Sequence, residues 1–414
     1  MKVTKKILAA LLACIMLFCV IPTSIFAEDS ILAGAPNGIW VAGKEIDSTK
    51  ESYWLNDNQG GITQTGASES KYNVKYTPAT EESKATLTLN NANLSQDIKW
   101  DAEFYGAASS NSTLNSAVIY APKNVALVIN LEGENTVKSE AKLKYNENYR
   151  MRYYTYGITK ISGITGNGSL EVDVAANKIS ELAERAGYED TAVGIYGSNL
   201  SINDKANVKS TVKMNSDCEG MRAVMAYAIQ SETLMSIWEN AVVVANASRT
   251  NAANTRDYVL GIGATLTVSD KATVVADAER AVTNITVSGG TIELINRGST
   301  IANAINLNGD AKSVKVNTQP TAEGAVEWDK ETNIRTYKYV KIEHYGKFMA
   351  TIRSIGRKIA DIIKTIKEIL AFLKKMTPVV VESFSKFPGI FTIIQENFND
   401  MINAYLKDFG IAKS

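Results

Sequence analysis

The segment GSNLSINDKANVKSTV at 197–212 returns as GATLTVSDKATVVADA at 263–278, and the offset is 66 throughout. Leu200 aligns with Leu266, Ile202 with Val268, Asp204-Lys205-Ala206 with Asp270-Lys271-Ala272, and Val208 with Val274. Self-similarity at fixed phase is the mark of a solenoid, in which one unit cannot bury its own apolar face and stacks on its neighbours. Relaxing the pattern exposes further copies. SETLMSIWENAVVVANA (231–247) lies between the two clear ones, with Met235, Ile237, Ala241 and Val243 in the places of Leu200, Ile202, Ala206 and Val208. NITVSGGTIELIN (284–296) follows, and INLNGDAKSVKVNT (305–318) is a last worn copy. SGITGNGSLEVDV (162–174) and VALVINLEGENTVKS (125–139) precede them.

Each copy reads as short alternating strands rich in Val, Ile and Thr, broken by a Gly/Asn/Asp turn, with no long helix. The expected fold is an all-β solenoid: a right-handed parallel β-helix whose coils contribute two or three short strands each. The reading divides the chain into a signal peptide (1–27), an N-terminal β cap (28–100), the parallel β-helix (101–345) and a basic C-terminal α-helical tail (346–414). The cap segment carries YNVKY and TLTLNNA, and its purpose would be to cover an open sheet edge.

The surplus length between copies falls in SEAKLKYNENYRMRYYTYG (139–157), AANKISELAERAG (175–187), KMNSDCEGMR (213–222) and ASRTNAANTRDY (247–258). All four follow the last strand of a coil and precede the next GI or AV opening. Insertions at equal phase stack along one edge of a solenoid, which is often the binding edge. The first insertion holds Tyr145, Tyr149, Tyr153, Tyr154 and Tyr156 with Arg150 and Arg152 between them. Tyrosine rings are flat apolar platforms with a polar tip, suited to sugar faces, and arginine forks suit the carboxylates of uronic acids. Tyr149, Arg150, Arg152, Tyr153 and Tyr154 are therefore candidate carbohydrate contacts. Trp238, in the outward turn slot held elsewhere by Asn203 and Ser269, is a sixth. The alternative is that these rings pack the loop onto the solenoid. In the next turn slot Asp204, Glu239 and Asp270 form a column of carboxylates. They are candidate ligands for calcium, a hard cation, or simply turn residues whose charge Lys205 and Lys271 offset.

Both ends carry signals of their own. MKVTKKILAALLACIMLFCVIPTSIFA has a basic start, an apolar run and a small-residue end, the pattern of a secretory signal cleaved between Ala27 and Glu28; the alternative is a retained membrane anchor. Cys14 and Cys19 leave with the signal, so only Cys218 remains and no intrachain disulfide is possible. His344 is the single histidine, which excludes His-rich zinc sites and argues against a Ser-His-Asp triad. Without the signal the chain has 41 basic and 44 acidic residues, and 346–414 holds 11 basic against 6 acidic. The acidic body gives no electrostatic footprint for nucleic acid. In the tail, 347–376 places apolar residues at 3–4 residue spacing with eight basic and two acidic residues. That is an amphipathic helix suited to an anionic membrane surface or cell-wall polymer, or to packing on itself, the solenoid or a second copy.

GIWVAGKEI, YW, YNVKY, TLTLNNA and LEGENTV, followed by the coil openings YGI and VGIY, resemble the secreted β-helix proteins of Gram-positive anaerobes described as carbohydrate-binding-domain-containing. The resemblance covers 38–318. It implies a right-handed β-helix of the pectate-lyase type that binds plant polysaccharides such as cellulose or pectin, with calcium. Three functional readings follow: a secreted, non-catalytic polysaccharide-binding protein; a polysaccharide lyase or hydrolase using Asp204, Glu239 and Asp270 with Arg222 or Arg249; and a structural or adhesive solenoid attached to a cell surface through its basic tail.

Overall fold

The computed structural model describes residues 31–344, except 34, 104–111, 141–151, 178–188, 216–222, 250–257, 300 and 309–310. The signal segment, the tail, most of the four insertions, Tyr149, Arg150, Arg222 and Cys218 lie outside the described residues.

Alternation of Val, Ile and Thr with polar residues becomes strand after strand with one face in. Thr273–Ala278 is typical: Val274, Ala276 and Ala278 are buried and the residues between them are half-exposed. The strands form a parallel β-solenoid with three sides to each coil. Arg152–Gly166 makes two of them: its first part pairs with Ser112–Tyr120, and its second part, after a bend, pairs with Leu127–Glu132. Ser169–Asn177 is the third side. The first two sides belong to a 16-stranded sheet and the third to a 10-stranded sheet. In the larger sheet Arg152–Gly166 is followed by Glu189–Ile202, Ala223–Ile237, Tyr258–Val268, Arg280–Val287 and Ala304–Leu307, each parallel to the last. In the smaller sheet Ser169–Asn177 is followed by Asn207–Asn215, Val242–Arg249, Thr273–Ala278 and Thr291–Asn296, again all parallel.

The register reproduces the repeat residue by residue. Leu200 pairs with Met235 and Met235 with Leu266; Ile202 pairs with Ile237 and Ile237 with Val268. Val208, Val243 and Val274 line up in the other sheet. The 66-residue offset thus spans two coils, and 231–247 is the coil between. All of these side chains are at most 1% exposed, so the core is a continuous apolar column along the solenoid, each large side chain contributing about 1.5–3 kcal/mol by its burial.

The insertions share one phase. The strands before them end at Ser139, Asn177, Asn215 and Arg249, and the strands after them begin at Arg152, Glu189, Ala223 and Tyr258. Beyond the fourth, the chain passes from Ala278 to Arg280 through Glu279 alone. Two boundaries differ from expectation. Ala85–Asn90 already pairs parallel with Leu127–Glu132, so the parallel stack reaches into the 28–100 segment; antiparallel strands Ser52–Asn56, Ile62–Thr63 and Val74–Thr77 precede it. The worn copy at 305–318 is only half a coil. Ile305 pairs with Ile285 in parallel, but Ala311–Asn317 runs antiparallel to Tyr339–His344. The reason is steric: Tyr339–His344 occupies the edge of Thr291–Asn296 from Thr291 to Ile295, where a further parallel strand would have paired. The 3-10 turn Ile334–Thr336 is the one helical element among the described residues.

Candidate functional site

The expected insertion-borne tyrosines are partly strand residues. The strand Arg152–Gly166 begins at Arg152, so Arg152, Tyr153 and Tyr154 belong to a sheet side rather than a loop. Alternation then separates them. Tyr153 points inward and is 8% exposed, which corrects its reading as a sugar platform: pairing parity turns its ring away from solvent. Tyr154 and Tyr156 point outward and are half-exposed. Their rings stack with centroids 6.2 Å apart and planes 8° from parallel. Trp238 keeps its expected slot. Its N–H donates to the Ile202 carbonyl, as those of Asn203 and Ser269 do to Ile164 and Ile237, and it is half-exposed.

The register carries the aromatic face onto later coils. Tyr154 shares its column with Thr191, Met225 and Tyr258; Tyr156 shares its column with Val193, Tyr227 and Leu260. Tyr196 lies 5.7 Å from Tyr156, ring centre to ring centre, and donates its hydroxyl to Glu232 Oε1 at 2.5 Å. Tyr227 lies over Gly263, where an added Cβ would stand 2.6 Å from Tyr227 Cδ1. Burial, then the neighbouring phenols Tyr196 and Tyr154, pushes the Tyr156 hydroxyl far above the usual phenol range. Burial, then the Glu232 carboxylate, does the same to Tyr196. For Tyr227 burial comes first and Tyr258 and Tyr154 follow. Five outward tyrosines from four coils therefore share one patch. Tyr196, Tyr227 and Tyr258 were missed at the sequence level. A signal for one of them was present: Tyr156, Val193, Tyr227 and Leu260 all stand immediately before the Gly/Ala-Ile coil opening.

A second aromatic cluster joins this patch. Ile98, Trp100, Ala117 and Tyr120 are buried together, and Trp40 and Tyr156 pack against them. Trp100 meets Tyr120 edge-on at 4.9 Å, and the Lys160 ammonium sits 5.2 Å from the Tyr120 ring centre.

Asp204, Glu239 and Asp270 do stack, each with a positive φ of 65°, 61° and 59°. Two of the carboxylates, those of Glu239 and Asp270, bind the turn before them. The Asp204 N–H donates to Glu239 Oε2 at 2.6 Å, and the Glu239 N–H donates to Asp270 Oδ2 at 3.4 Å. Backbone donors therefore offset part of the column's charge. Among the described residues no group of three His, Cys, Asp or Glu is arranged to hold a metal ion. The Arg249 side chain is 5% exposed and holds Glu279 through Nε at 2.5 Å and Nη2 at 3.0 Å, a clamp on the one-residue corner. A shallow hollow of about 230 Å³ beside the insertion edge is lined by Lys138, Glu140, Asp173 and Lys213 among others, below the size of an ordinary ligand pocket.

No protein-family model matches this chain, and no curated protein or solved structure matches it.

Proposed function

We propose that the chain is a secreted, non-catalytic polysaccharide-binding solenoid of the right-handed type, and that its contact surface is the outward tyrosine face. The observation that carries the proposal is the stacked, near-parallel pair Tyr154 and Tyr156, extended by Tyr196, Tyr227 and Tyr258 on the following coils. Flat rings about 6 Å apart on a rigid sheet match the size of successive sugar rings, and half-exposed phenols supply hydroxyl partners at the platform edge. A sheet side also holds its rings in place, which lowers the entropy lost on binding. Plant cell-wall glycans of the cellulose or pectin type are the proposed ligands. The antiparallel strands of the 28–100 segment close the first coil in this reading, 1–27 is the secretion signal, and 347–376 attaches the protein to a cell surface.

The test is a pull-down of the chain from residue 28 onward on insoluble cellulose and on pectin, with and without chelator, followed by assay of the supernatant for released sugar. Retention without release is expected, and Tyr156→Ala should weaken it about five- to ten-fold. Loss of binding with chelator would assign calcium a part; unchanged binding would remove it. Release of unsaturated or reducing ends would replace the binder with an enzyme. A chain that binds neither polymer would be a structural solenoid. Truncation after residue 345 should abolish cell association and leave sugar binding intact.

A further inference from the structure

A lysine stands at the border of the tyrosine face. Lys160 occupies the bend between the first and second sides of its coil, with φ 62°, a conformation costing a non-glycine residue on the order of 1 kcal/mol. Its side chain is half-buried against the aromatic cluster. No carboxylate lies within ion-pair distance of it among the described residues. Burial, then the nearby Lys123 ammonium, holds the Lys160 pKa below the usual lysine value, and Glu232 acts in the opposite direction. Glu232, however, already accepts the Tyr196 hydroxyl. Trp40 pairs across strands with Tyr120, and Tyr120 pairs with Thr159, the residue before Lys160. The Trp40 indole Nε1–H is buried and has no acceptor among the described residues. One short row thus carries Trp40, Tyr120 and Thr159 up to Lys160, and Lys123 lies near enough to act on the Lys160 ammonium. The ring of Tyr120 offsets only part of what it costs to desolvate the ammonium.

We infer that Lys160, with Lys123, forms the subsite for an oxyanion carried by the glycan, a carboxylate or a sulfate ester, so that the ligand is an acidic rather than a neutral polysaccharide. The inference rests on the glycan reading of the tyrosine face. The tyrosines hold sugar rings and the lysine row selects charge; a ligand oxyanion replaces the water that now solvates the exposed side of Lys160 and gains charge-assisted hydrogen bonds.

Paired polymers of one backbone test it: carboxymethyl cellulose against hydroxyethyl cellulose, and dextran sulfate against dextran. Affinity electrophoresis of the chain from residue 28 onward should show an acidic polymer binding about ten-fold or more tightly than its neutral partner, with the advantage lost in 0.5 M salt, where the screening length is about 4 Å. The pair that shows the advantage identifies carboxylate or sulfate as the group. Lys160→Met should remove most of the advantage while binding to the neutral partner is unchanged. Lys123→Ala, at an exposed position, should reduce it several-fold in a chain that melts normally. Tyr156→Ala should weaken acidic and neutral polymers alike. Equal binding of both partners, or an advantage that survives both lysine variants, overturns the subsite and leaves the glycan reading standing. Absence of binding to every polymer overturns both.

Discussion

At the scale of single residues, the coil openings are set by the space between two sheets. Gly157, Gly194, Ala228, Gly261 and Ala281 each precede the Ile or Val that starts the second apolar position of a coil. A Cβ on Gly194 would lie 2.5 Å from the Ala228 carbonyl oxygen and 2.0 Å from Ser210 Oγ, and one on Gly261 would lie 2.6 Å from the Ala281 carbonyl oxygen. The serine can rotate away; the backbone oxygen cannot. Gly194→Ala should therefore cost about 1–3 kcal/mol in urea unfolding, whereas Ala228→Gly, which removes one methyl, should cost about 1 kcal/mol. The turn column obeys a different rule. Glu239 sits in the left-handed region, and its carboxylate accepts the Asp204 N–H. Glu239→Ala should cost about 0.5–2 kcal/mol, the value of a lost side-chain cap on a backbone donor. Glu239→Gln keeps an acceptor oxygen and should cost less; equal costs for the two would mean that the hydrogen bond contributes nothing.

At the scale of elements, the strand Tyr339–His344 joins the parallel stack to its antiparallel margin, and it carries a titratable anchor. Tyr339 is 2% exposed. Burial, then Glu293, pushes its phenol up to about 12 from 10.0. A folded-state pKa above the unfolded one contributes stability that is complete below pH 10 and is lost as pH rises towards 12. A shift of this size corresponds to about 2–3 kcal/mol. Melting temperature should therefore fall between about pH 10 and pH 12, and Tyr339→Phe should flatten that fall. An unaltered slope in the variant would place the alkaline loss elsewhere. The outer-face phenols Tyr156 and Tyr196 are shifted further in the same direction, so absorbance at 295 nm should show a class of tyrosines that ionises only as the chain unfolds.

At the scale of the molecule, contacts are made mainly with the coil before and the coil after, so stability is close to a sum of coil and interface contributions. Length added where the third side ends and the next coil begins leaves every register untouched, which is why insertions of different lengths share that phase. Replacing 178–188 by a short glycine linker should change stability by about 1 kcal/mol or less, read by chemical unfolding. Removing a residue within Ser169–Asn177 should instead be severe, because a one-residue slip exchanges the buried and solvent faces of the strand.

Much of this was legible in the chain. Alternation and turn chemistry are local, so the strands, the turns and the stacking partners Leu200, Met235 and Leu266 were readable from the repeat alone, and the parallel register follows from them. The phase of the insertions was readable for the same reason. Which side chains meet on the outer face was not. That depends on the bend within each long strand, where the register shifts between Ile158 and Gly163, and on parity counted from it. Tyr153 and Tyr154 are adjacent in sequence and lie on opposite faces. Tyr156, Tyr196 and Tyr227 are far apart in sequence and share one face. The half-coil at Ala304–Asn317 was likewise undecided until a distant segment, Tyr339–His344, took the edge that a further coil would have used. Local pattern determines what each element is; competition for a sheet edge, and the parity of a bent strand, decide what it faces.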